Sequence, residues 1–178
     1  MYDRIKAAGI TDEETIKNMA VLANSLVFTS QGISFMLSGE EFLRTKGGNS
    51  NSYNASYQVN ELDYSLKIKN MDVFNNYQKL IALKQNANLF ARSKEECKNI
   101  TINKNNDGSL IYFDLIDNEN KLQYRFAYSN GYKSKASKNV DFNGFTLYLD
   151  TLNKEDLVLS SDTVLDELEV IIAYKSIE

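Results

Sequence analysis

Thr29-Ser30-Gln31-Gly32-Ile33-Ser34-Phe35-Met36-Leu37-Ser38-Gly39-Glu40-Glu41-Phe42 is the stretch whose reading decides the fold. Between Gly32 and Gly39 the chain is almost continuously apolar and too short for a helix, which is the pattern of a strand buried on both faces. Such strands belong to parallel sheets covered by helices, so residues 33–37 predict an α/β unit. Upstream, Ile16, Met19, Ala20, Ala23, Leu26 and Val27 recur at three- and four-residue spacings and predict a helix over 12–30, with Gly32 just beyond its end. Thr11 and Glu14 fit a capping box at its start. Downstream, Arg44 to Ser56 is polar and rich in Gly, Asn and Ser, a long loop directly after the expected strand. Residues 71–85 read as helix again, with Val73, Phe74, Tyr77, Leu80 and Ile81 on one side.

From about Ser93 the period changes from helical to alternating. Leu122, Tyr124, Phe126 and Tyr128 alternate with Gln123, Arg125 and Ala127, and Phe145, Leu147 and Leu149 repeat the pattern. Residues 110–115 and 168–174 supply two more strands, with turn signals at Asn106-Asp107-Gly108, Ser129-Asn130-Gly131 and Asn143-Gly144. The second half therefore reads as an antiparallel β-sandwich able to close a two-layer core of its own. One boundary is expected near residue 92, and no internal repeat is present. Residues 1–90 make an incomplete layer, because a strand apolar on both faces needs neighbours and no second parallel strand exists to pair with it. A complete (β/α)8 barrel takes about 250 residues, so this part matches at most its final turn.

Composition narrows the chemistry. The 178 residues carry a formal net charge of −4 and contain no His and one Cys. Without His there is no Ser-His-Asp or Cys-His nucleophile system and no His-based zinc site, and no metal or cofactor site is expected. Cys97 reads as a small packing residue. The acidic balance offers no positive field to a phosphate backbone, so nucleic acid is not an expected partner. No apolar run reaches the roughly 18 residues of a membrane span, so a membrane is not expected either. The opening Met1-Tyr2-Asp3-Arg4-Ile5-Lys6 lacks the apolar core of a signal peptide, and nothing in the sequence fixes a compartment.

Residues 29–63, TSQGISFMLSGEEFLRTKGGNSNSYNASYQVNELD, carry a resemblance to a known family. Gly32-Ile33 with Gly39-Glu40-Glu41-Phe42 is similar to the eighth barrel strand of the α-amylase superfamily. Leu43-Arg44-Thr45-Lys46-Gly47-Gly48-Asn49, Asn51-Ser52-Tyr53-Asn54 and Asn60-Glu61-Leu62-Asp63-Tyr64-Ser65 resemble the stretch that marks type I pullulanases, with Ser34, Ser38 and Tyr64 standing where Pro, Ala and Trp are usual. The resemblance implies a C-terminal fragment: residues 1–92 as the end of the catalytic (β/α)8 TIM barrel, with strand 8 and flanking helices, and residues 93–178 as the C-terminal antiparallel β-sandwich. It further implies a parent glycosidase that hydrolyses α-1,6-glucosidic links in pullulan and in starch or glycogen branches by a retaining mechanism. The family's catalytic carboxylates lie on earlier barrel strands, so this chain is expected to be inactive alone.

Within the chain, Glu40 and Glu41 invite a catalytic-pair reading, since retaining glycosidases hold two carboxyls about 5–5.5 Å apart. Adjacent strand residues point to opposite faces, however, so no catalytic residue is assigned. Loops at the C-terminal ends of barrel strands build the active cleft, which makes Glu41, Arg44, Asn51, Ser52, Tyr53 and Asn54 the candidate glucan-binding residues. Amides bond hydroxyls, and a Tyr ring stacks on a pyranose face. The alternative is a non-catalytic carbohydrate-binding or stabilising module in which the β-sandwich is the working part.

Overall fold

The computed structural model describes residues 1–178. The first half is helical, with α1 (Tyr2–Ala7), α2 (Glu13–Thr29), α3 (Tyr57–Asn60), α4 (Ser65–Lys69), α5 (Met71–Lys84), α6 (Ala87–Phe90) and α7 (Lys94–Lys98). The start of α2 corrects the expected capping box. Asp12 is the N-cap, its Oδ2 accepting from the Thr15 N–H at 2.8 Å and the Thr15 hydroxyl at 2.6 Å. A carboxylate there satisfies a free donor and also sits at the positive end of the helix.

The second half forms β1 (Asn103–Lys104), β2 (Leu110–Asp117), β3 (Leu122–Ser129), β4 (Asn139–Val140), β5 (Thr146–Asp150), β6 (Thr163–Val164) and β7 (Val170–Ser176). Five of these make one antiparallel sheet in the order β1-β2-β3-β7-β5, and β4 pairs with β6 in a separate ribbon. Period-2 alternation sends Phe113, Leu115, Tyr124, Phe126, Tyr128, Val170 and Ile172 to one face, where α2, α5 and α6 cover them. The opposite face presents Leu110, Ala127, Ile171 and Ala173 to Val140, Phe142 and Leu165 around the ribbon. The larger apolar core is thus shared between the two halves of the chain instead of being closed within residues 93–178.

Residues 33–37 are the principal departure from the expectation. They form neither helix nor strand, and while Met36 packs against the core, Ile33 is 100 % and Phe35 90 % exposed. The reason is topological: every strand of the five-stranded sheet comes from residues 103–176 and pairs within that half of the chain, so this apolar segment has no partner strand.

Candidate functional site

The loop after residues 33–37 begins with a 3-10 turn at Glu40–Phe42, flanked by left-handed Gly39 (φ 96°) and Leu43 (φ 59°). Only glycine fits the first position, since a Cβ there would lie 2.7 Å from Cβ and Cδ of Arg44. The reversal returns the Arg44 N–H to the Gly39 carbonyl at 2.9 Å. Arg44 then folds back through its guanidinium, Nη1 donating to the Ser38 carbonyl at 3.3 Å and Nη2 to the Asn60 carbonyl, while Nε is buried with no partner.

The next segment is tied to α1. Asp3 accepts from the Thr45 hydroxyl at 2.6 Å and the Lys46 N–H at 2.8 Å. Burial pushes the Asp3 carboxyl up, but these bonds, with a backbone bond from Gly48 and the nearby N-terminal amine, outweigh it and hold the group below its ordinary value. Lys46 donates through Nζ to the Ser52 hydroxyl at 2.5 Å and to Asn60 Oδ1 at 3.4 Å. Asn60 Nδ2 in turn donates to the carbonyls of Ser52 at 2.7 Å and Ala55 at 3.3 Å. These bonds hold both ends of the turn Ser52–Ala55, which the Ala55 N–H closes on the Ser52 carbonyl at 3.1 Å.

Between α1 and this loop lies a polar cleft of about 310 Å³, lined among others by Asp3, Arg4, Glu40, Arg44, Lys46 and Ser52. Donors and acceptors of both charges face it, which suits a neutral, hydroxyl-rich ligand better than a strongly charged one. The two adjacent glutamates part company. Glu40 Oε1 meets the N-terminal amine at 2.5 Å beside the cleft, whereas Glu41 Oε2 accepts from the Gly39 N–H at 2.8 Å and lines a separate hollow of about 350 Å³ with Phe74 and Tyr77. Burial pushes the Tyr77 hydroxyl well above its ordinary value, and the carboxylates of Glu40 and Glu41 add to the effect.

No family model matches the chain. Over 64 residues, 36 % of its length, it is 36 % identical to the pullulanase of Bacillus subtilis (strain 168), of which it spans 9 %. The solved pullulanase of Bacillus acidopullulyticus superposes on 98 % of the chain with a TM-score of 0.82 and 30 % identity, the match spanning 22 % of that structure's chain. A pullulanase from Anoxybacillus sp. LM18-11, solved with maltotetraose, superposes on 98 % with a TM-score of 0.84 and 23 % identity, spanning 26 % of its chain. The chain is similar to type I pullulanases. The match fits a C-terminal fragment of such an enzyme, as residues 29–63 imply, and it extends to the helices and the antiparallel sheet alike.

Set within this pullulanase-like segment, the six candidate residues do not converge on one place. Arg44 and Ser52 line the polar cleft, and Glu41 lines the other hollow. Asn51, Tyr53 and Asn54 line neither; Tyr53 stands 84 % exposed and Asn54 is exposed, both at the tip of the turn. Tyr64, at the position where pullulanases usually carry Trp, packs its ring 5.6 Å from Phe42. Asp3, Lys46 and Asn60, which hold this loop through hydrogen bonds, are not among those six. Asp3 carries no local signal, because the loop it anchors lies more than 40 residues away. Asn60 stands inside the pullulanase-like Asn60-Glu61-Leu62-Asp63, where the motif is visible but the role of its amide is not.

Proposed function

We propose that the chain is a C-terminal portion of a pullulanase-like glycoside hydrolase that cleaves α-1,6-glucosidic links in pullulan and branched α-glucans with retention. Residues 1–92 supply the last part of its catalytic (β/α)8 barrel and residues 93–178 its C-terminal β-sandwich, the second layer being the β4–β6 ribbon. Glu41, Arg44 and the 51–54 loop contribute to the glucan-facing rim, and the catalytic carboxylates belong to the rest of the enzyme.

The observation that carries this reading is the unpaired apolar segment 33–37. An apolar run that rests Met36 on the core, pairs with no strand and leaves Ile33 and Phe35 almost wholly in solvent fits a barrel strand without its neighbours, and monomeric proteins rarely leave such a run uncovered. The maltotetraose held by the Anoxybacillus pullulanase supports an α-glucan as the ligand. The divergence of Glu40 and Glu41 into different hollows supports the absence of a nucleophile and acid/base pair in this segment.

Reducing-sugar release from pullulan tests it, with the 178-residue chain assayed beside the longer enzyme that contains it. The expected result is turnover by the enzyme and none by the chain. Turnover by the chain alone that disappears in Glu40→Gln or Glu41→Gln overturns the reading. A longer enzyme with no turnover, together with a chain that still binds maltotetraose, favours the silent carbohydrate-binding module.

A further inference from the structure

We infer that Asn60 is the positioning residue of the glucan-contacting turn, acting through the carbonyls of Ser52 and Ala55 to present Tyr53 and Asn54. The inference rests on the proposed glucan-binding role of the 51–54 loop and adds to it a residue outside that loop. Tyr53 is 84 % exposed and has no packing of its own to fix its direction, so its orientation is set by the backbone that carries it. That backbone is the turn Ser52–Ala55, and one side chain holds both its ends: Asn60 Nδ2 donates to Ser52 O at 2.7 Å and to Ala55 O at 3.3 Å.

The amide is the group this task requires. Its NH2 carries two donors for two carbonyls, and its oxygen remains free to accept from Lys46 Nζ at 3.4 Å. Asn60 is itself fixed, at the end of α3, by the Arg44 guanidinium on its carbonyl. Asn60→Asp keeps the shape and inverts the chemistry, setting a carboxylate against two carbonyl oxygens, which drives the turn away from its present course. A turn held this way is pre-ordered before a sugar arrives, so its loss is read chiefly in substrate binding.

The test compares Tyr53→Ala, Asn60→Asp and the double variant in the full-length enzyme that carries this chain, with pullulan as substrate. Tyr53→Ala and Asn60→Asp are each expected to raise KM about fivefold with kcat little changed, and on the Tyr53→Ala background Asn60→Asp is expected to add much less than its effect alone, with only Asn54 left to misplace. Should Asn60→Asp fail to fold, Asn60→Ala carries the same comparison, since it removes the donors without adding a charge. If Tyr53→Ala raises KM while the Asn60 variants are silent, fully additive or lower only kcat, the assignment of Asn60 is overturned and the role of the loop stands. If Tyr53→Ala leaves KM unchanged, the role of the loop falls, and the Asn60 assignment with it.

Discussion

Glu169 sits fully buried just before β7, its Oε2 accepting from the Asp166 N–H at 2.6 Å. The Lys154 ammonium lies 2.7 Å from Oε1, off the hydrogen-bonding direction and shared with Asp166 at 3.2 Å. Burial pushes the Glu169 carboxyl up, and the neighbouring buried Asp150 adds to this; Lys154 and the Asp166 N–H only partly offset them, leaving the group at about 7. The folded chain therefore keeps this proton up to about pH 7, whereas the unfolded chain releases it near 4.5. Between those values the folded state binds more protons, so this group's contribution is fully present below about 4.5 and is lost as the pH rises through 7. The melting temperature should fall between pH 5 and pH 8, and Glu169→Gln, which keeps a neutral group of the same shape, should flatten that fall by a few degrees. An unchanged slope in Glu169→Gln would show that Lys154 keeps the carboxylate ionised throughout. None of this was legible in the sequence, where Glu169 is one acid among many and only the fold shows that it is buried. Strand alternation predicts that Glu40 and Glu41 diverge, whereas the two stand on a 3-10 turn, with Glu40 on the N-terminal amine and Glu41 on the Gly39 N–H.

At the scale of elements, several polar contacts join the helical layer to the sheet, and the one between Thr29 and Tyr128 lies in the core. Thr29 at the end of α2 donates its hydroxyl to the Ser25 carbonyl at 2.7 Å, so it accepts from the Tyr128 hydroxyl, 2.5 Å away. Both side chains are buried, and burial pushes the Tyr128 hydroxyl up so that its proton stays available. Thr29→Val leaves that O–H without an acceptor, at a cost of about 1–3 kcal/mol, whereas Tyr128→Phe removes the donor with the bond, at a cost of about 1 kcal/mol. The double variant should cost less than the two together, because the orphaned hydroxyl is gone. Chemical denaturation of the four proteins checks this, and strict additivity would rule out the bond. The elements themselves were largely legible. Helices expected over 12–30 and 71–85 occur at Glu13–Thr29 and Met71–Lys84, and the alternating strands fall within two residues of where the pattern placed them. Their own periodicity records the face they bury. Residues 33–37 were not legible in this sense, because an apolar run records that burial is required without supplying the strand that would provide it.

For the molecule as a whole, the question is whether the boundary near residue 92 separates two folding units. Residues 93–178 hold a seven-residue core of their own between the sheet and the β4–β6 ribbon. The larger core has nineteen buried residues, eleven from before residue 93 and eight from after it. Cutting at the boundary would bare those eight, including Phe126, Tyr128, Leu149 and Ile172, and each large side chain returned to water forfeits roughly 1.5–3 kcal/mol. The loss is on the order of 10 kcal/mol, as much as the total stability of about 5–15 kcal/mol that a domain usually has. The alternating pattern shows two faces on every strand, but it does not show that the second face is covered by helices from the other half. The boundary proposed near residue 92 is therefore not expected to separate two folding units, because the larger core draws on both sides of it. Residues 1–178 should unfold in a single calorimetric transition, and residues 93–178 alone should lack a cooperative transition and disperse poorly by NMR. Two separate transitions in the whole chain, or a sharply folded 93–178 fragment, would show that the seven-residue core suffices and that the helices merely rest on a sandwich already formed.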